Sequence, residues 1–139
     1  MKMRVLISCF CMLLLGAMAF KPDPTTEKLV RKWELVGVQT ANMKISEEEI
    51  RSKNSNIMME FLGNGYCIIR PIKAEAAIKK NKWTLKKEEK ETYIIMEADN
   101  GFGEPFKQNM IIEELSTKKL VLSVGKDKDK EIYTYKALK

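Results

Sequence analysis

Apolar and polar residues alternate along several short stretches of this chain, and no α-helical period of any length interrupts them. Trp33 and Leu35 fall on one face of residues 33–40 with Glu34 on the other, and Trp83 and Leu85 alternate with Lys82, Thr84 and Lys86. Each pattern is that of a strand with one wet face. Between them, residues 57–72 hold two apolar runs around Asn64-Gly65, a pair suited to positive φ at both central positions of a two-residue hairpin turn. That turn pairs Phe61 with Ile68 and Met59 with Arg70. It predicts one face made of Ile57, Met59, Phe61, Ile68, Arg70 and Ile72, with Cys67 on the face away from Phe61.

Further strands are predicted over residues 92–98, 106–114, 119–124 and 131–138, separated by short turns at 87–90 and 116–118 and a glycine-rich loop over 99–105. Ser46 and Glu49 are spaced as in a capping box, which predicts a short helix within the long connection 41–56. Thr25 or Thr26 is placed to cap a helical turn carrying Leu29 and Val30, and residues 74–77 suit one more such turn. Pro71 lacks the amide that a long central strand requires. Eight strands in order, with no room for crossover helices, predict an all-β fold, an eight-stranded antiparallel up-and-down β-barrel with short helical segments. The long connections after the first, third and fifth strands then gather at one mouth, and the tight turns close the other. The inward faces of the fifth, sixth and eighth strands stay open, because residues 93–96 and 110–112 are apolar on both sides.

The N-terminus changes what counts as the domain. Lys2 and Arg4 precede an apolar run that ends in Ala17-Met18-Ala19, the pattern of a signal peptide cleaved after Ala19. The apolar run is too short for the roughly 20 residues of a spanning helix, and Pro22 and Pro24 stop its extension. Cys9 stands before the apolar core rather than after it, which argues against lipid anchoring. The expected organisation is therefore a signal peptide over 1–19, an extended lead-in over 20–26 and one barrel domain over 27–139, in an exported, periplasmic or extracellular protein with no transmembrane span in its mature chain. Removing the signal lowers the net charge from +6 to +4 and leaves Cys67 without an intrachain partner. The lysines interleave with acids, as in residues 86–91 and 126–131, which marks solvated turns rather than a nucleic-acid stripe.

Four features carry a family resemblance: Leu29-Val30-Arg31-Lys32-Trp33 opening the first strand, Phe61 through Asn64-Gly65-Tyr66, Lys82-Trp83-Thr84-Leu85, and Leu120-Val121-Leu122. Over residues 27–138 the chain resembles the lipocalin-like domains of small exported bacterial proteins and, more distantly, the lipocalins. Where that family usually has glycine two residues before the first tryptophan, this chain has Arg31. The resemblance implies an eight-stranded barrel with a binding cavity and places Trp33 at its closed end.

Chemistry enters through few residues. The sequence contains no histidine, one cysteine in the mature chain, no phosphate loop and no nucleophile motif. The expectation is a protein that is not an enzyme and that uses no cofactor or metal. Cys67 reads as a packing residue, since nothing is present to activate it. Asp127, Asp129 and Glu131 alternate with lysines and lack calcium-loop spacing. Arg70 is the most pointed candidate: on an apolar inward face it needs an acid, a route to water or an anionic ligand. Two readings stay open, an acidic ligand head bound by Arg70 or a side chain that snorkels to solvent or pairs with a protein acid. The expected ligand contacts are Met59, Phe61, Ile68, Arg70, Trp83, Met96 and, as a lid at the mouth, Phe102 and Phe106. The function this predicts is binding of a small hydrophobic or amphipathic molecule in the barrel. The alternative is an envelope or secreted interaction domain whose barrel is filled and whose loops or lysine-rich surface meet a protein partner.

Overall fold

Alternating inward side chains build a ladder of strands, each paired with its neighbour in the chain. In order the elements are α1 (Pro24–Leu29), β1 (Lys32–Gln39), β2 (Lys44–Ile45), α2 (Glu47–Ser52), β3 (Ile57–Phe61), β4 (Tyr66–Pro71), β5 (Lys79–Glu88), β6 (Glu91–Ala98), β7 (Phe106–Leu115), β8 (Lys119–Val124) and β9 (Glu131–Ala137), with a 3-10 turn at Asp127–Asp129. The computed structural model describes residues 23–53, 56–72, 79–98 and 106–139. The signal peptide read over 1–19, the start of the lead-in, the helical turn over 74–77 and the loop carrying Phe102 lie outside the described residues. Among the described residues no helix is long and apolar enough to cross a membrane.

Every pairing is antiparallel, and β1 meets β9 from Trp33 opposite Ala137 to Gln39 opposite Ile132. The ribbon therefore closes on itself, as the strand order predicts: an eight-stranded barrel made of β1 and β3 through β9. The two-residue β2 is an addition. It pairs with Val38 and Gln39 on the edge of β1 that β3 leaves after Glu34 has paired with Met58. The tight turns after β3, β5 and β7 lie at one end with the start of β1. The connections after β1, β4, β6 and β8 leave from the other.

The hairpin register differs from the one predicted. Phe61 pairs with Cys67, Met59 with Ile69 and Met58 with Arg70. Only Gly65 takes positive φ, at 89°, and Asn64 does not. The loop is accordingly three residues long, with Gly65 N donating to Leu62 O at 3.3 Å and Leu62 N to Tyr66 O at 2.8 Å. The extra turn residue moves β4 by one position and exchanges its faces, so Cys67 and Ile69 point inward while Ile68 and Arg70 point outward.

The N-terminal helix also departs from expectation. Pro24, read as part of an extended lead-in, occupies the first turn, where a missing amide costs nothing. Its cap is Asp23, which accepts from Thr25 N at 3.0 Å, rather than either threonine. Lys87 stands 2.8 Å from the same carboxyl, and together with the Thr25 amide it holds the Asp23 pKa below its ordinary value. For α2 the predicted capping serine is in place, with Ser46 Oγ accepting from Glu49 N at 3.3 Å.

Candidate functional site

The interior has two levels that differ in what fills them. At the end of the tight turns, Leu29 from α1 plugs the barrel and packs with Trp33, Phe61, Trp83, Ile94, Leu120 and Leu122. Both indoles are satisfied there: Trp33 Nε1 donates to Leu29 O at 3.0 Å, and Trp83 Nε1 to Leu62 O at 3.1 Å. Phe61 meets Trp83 edge to face, with ring centroids 5.2 Å apart. Arg31, where the resembled family has glycine, lies over the Trp33 ring and donates to Thr117 O at 2.6 Å, tying the start of β1 to the β7–β8 turn.

Toward the other end the side chains no longer meet. A cavity of about 370 Å³ remains, with an apolar wall of Ile69, Met96, Ala98, Met110 and Val124 and polar groups from Asn81, Gln108, Tyr133 and Tyr135. The register explains the composition. Asn81 continues inward alternation from Trp83 and Leu85 along β5, Gln108 lies opposite Met96, and Tyr133 and Tyr135 alternate along β9. Tyr133 donates its hydroxyl to Glu131 Oε2. Burial first, then the hydrogen bond and charge of Glu131, pushes the Tyr133 pKa up to about 12. Tyr135 is raised further, again chiefly by burial, with Tyr133 and Cys67 adding to it. Cys67, buried and close enough to Glu60 to feel its charge, is pushed up to about 12. These three groups keep their protons at neutral pH, so they give the interior no negative charge.

The eight residues expected to touch a ligand are thus dispersed. Met59, Phe61, Trp83 and Met96 face inward, but only Met96 lines the cavity; the other three belong to the packed end. Ile68 and Arg70 are corrected to the outer face, where Arg70 Nη2 reaches Met58 Sδ at 3.9 Å. An acidic ligand head held by Arg70 inside the barrel is therefore ruled out by the register. Phe106 opens β7 opposite Ala98, and the lid reading of Phe102 and Phe106 rests on side chains outside the described residues. Sequence reasoning missed Asn81, Gln108, Tyr133 and Tyr135. Extending the Trp83 and Leu85 alternation by one step would have found Asn81.

Two further features lie on the outer wall. Helix α2 covers the seam where β3 leaves β1, burying Ile50, Met58 and the carboxylate of Glu34. Asn56 Nδ2 donates to Glu34 Oε1 at 2.9 Å, while Arg51 and Lys136 stand 3.6 and 3.8 Å from the carboxylate. Both cations also hold Glu47, at 2.8 and 3.0 Å. On another side, the outer faces of β5 to β8 form an open concavity of about 830 Å³ that includes Tyr93, Ile95, Ile111 and Ser123, rimmed by lysines and acids. No protein-family model, curated protein or solved structure matches the chain.

Proposed function

We propose that this protein is an exported binding module that holds a small apolar or amphipathic molecule inside a lipocalin-like barrel. The observation that carries the reading is the cavity of about 370 Å³ at the end where the long connections leave. Its size falls within the range of small-molecule sites, and its walls are mostly apolar with a few converging polar groups. The packed opposite end supports it too, because it gives the cavity a floor. Export rests on Lys2, Arg4, the apolar run and Ala17-Met18-Ala19. Native mass spectrometry of protein purified from its source tests the binding reading. A retained small molecule, lost on denaturation, is the expected result. A protein that arrives empty and releases nothing into organic solvent counts against it.

A second reading is favoured by the outer concavity, where half-buried Ile95 and Ile111 stand between charged rims. There the protein contacts another protein through β5 to β8, whatever its interior holds. The substitution Ile111→Lys separates the two. It leaves small-molecule retention intact, and it abolishes a partner's binding only under the second reading.

A further inference from the structure

The cavity holds a polar side chain that has no hydrogen-bond partner among the described residues. Asn81 is 8% exposed, and neither its amide nor the Tyr135 hydroxyl hydrogen-bonds another described residue. Among the described residues, the only buried polar side-chain atom sealed off without a partner is Arg31 Nε. Asn81 lines the cavity instead, so its donors and acceptor are presented to the cavity's contents. Burying an amide unpaired is costly, and a site that keeps one is built for something that pairs with it.

Where these groups stand around the ring gives the ligand a shape. Asn81 is on β5 and Tyr133 and Tyr135 are on β9, four strands apart by either route round the eight-stranded barrel. They therefore face each other across its axis, with Met96, Met110 and, as the one polar group there among the described residues, Gln108 on the wall between. Charge is unwelcome at both ends. Among the described residues no lysine, arginine, aspartate or glutamate lines the cavity, and the Glu131 carboxylate behind Tyr133 repels an anion. The volume corresponds to roughly a dozen waters.

Resting on the reading of the cavity as a ligand site, we propose that its occupant is a neutral molecule with hydrogen-bonding groups at opposite ends of an apolar body. Asn81 is the specificity-determining contact for one end and Tyr135 for the other.

Three probes that share one ring system test this on the full mature chain, titrated and followed by NMR: naphthalene-2,6-diol, naphthalene and naphthalene-2,6-dicarboxylate. The diol binds about tenfold more tightly than naphthalene, and the dicarboxylate binds more weakly than either. Asn81→Leu lowers the diol's affinity about tenfold and leaves that of naphthalene within about twofold. Tyr135→Phe, which keeps the ring and removes only the hydroxyl, lowers the diol's affinity about threefold or more. If the diol and naphthalene bind alike, and Asn81→Leu treats them alike, the two-ended ligand is wrong while the cavity reading survives. Tightest binding by the dicarboxylate overturns neutrality. If the folded protein binds none of the three, the cavity reading fails and takes this inference with it.

Discussion

The two ends of the barrel are built from the same strands with the same alternation, and they come out differently because of side-chain volume. At the turn end each level receives an aromatic or a long aliphatic group, Trp33, Phe61, Trp83 and Leu120, and α1 adds Leu29 from outside the ring. At the other end the corresponding places on β6 and β8 fall to Ala98 and Val124, and β5 and β7 contribute Asn81 and Gln108. A small barrel can be filled by its own side chains. This one is filled over half its length, and the change from packed to hollow follows the change from large apolar to small or polar residues. The outline is set by the backbone, and the presence of a cavity by a handful of inward positions.

Truncation on either side breaks the comparison most sharply. Trp33→Ala removes a fully buried indole and its bond to Leu29 O, and the expected loss is about 3–5 kcal/mol in urea unfolding. That is a large part of the total stability of such a domain. Met110→Ala removes side-chain atoms that already border empty space, so less than about 2 kcal/mol should go. Equal losses would mean that the two ends are packed alike. At the mouth, Gly125 has φ +84°, and a Cβ there would lie 2.6 Å from Asp129 O. Gly125→Ala should cost about 1–3 kcal/mol through backbone strain alone. Asn81→Leu carries the opposite sign. Replacing an unpaired buried amide with an apolar group should raise stability by about 1 kcal/mol while weakening diol binding. A loss of stability there would show that the amide is already satisfied in the empty protein.

The strand ladder was legible because it depends on alternation, which survives small errors, whereas the site depends on register, which does not. Strands, order, closure and the Ser46 cap all follow from local patterns. The site residues went astray at one turn. Asn64-Gly65 favours a two-residue loop by dipeptide preference, yet that loop sends Arg70 into the barrel, and burying a lone guanidinium costs several kcal/mol. The three-residue loop instead places Cys67 and Ile69 inside and Arg70 in reach of solvent, with Asn64 Oδ1 accepting from Tyr66 N at 3.2 Å. The charge at position 70 was itself the signal against the simpler turn. Asn81 was hidden for another reason: it sits in Lys79-Lys80-Asn81-Lys82, whose polarity suggests a loop, although it is the outward lysines at 80 and 82 that are exposed and Asn81 that is buried. Tyr133 and Tyr135 lay in a strand whose inward face the pattern left open.

The smallest effect concerns the seam under α2, which lies on the outer wall rather than in either half of the interior. Glu47 is held by Lys136 first and by Arg51, and its pKa lies below the ordinary 4.5. A carboxyl depressed on folding contributes stability that is fully present above its unfolded pKa and is lost as pH falls through the lower, folded value. Nearly half of the Glu47 side chain is exposed, so water screens the pair and the contribution is about 0.2–1 kcal/mol. That is too little to unfold a barrel closed by the β1–β9 pairing, but a helix of only six residues should feel it. As pH falls from about 6 through the depressed Glu47 value, below the ordinary 4.5, exchange protection of the α2 amides should fall after correction for intrinsic rates, while that of Ile94 and Leu122 holds. Glu47→Gln should reproduce the loss at neutral pH and remove most of its pH dependence. If α2 and the barrel core lose protection together, the helix is part of one cooperative unit with both halves, and the seam is no weaker than the wall it covers.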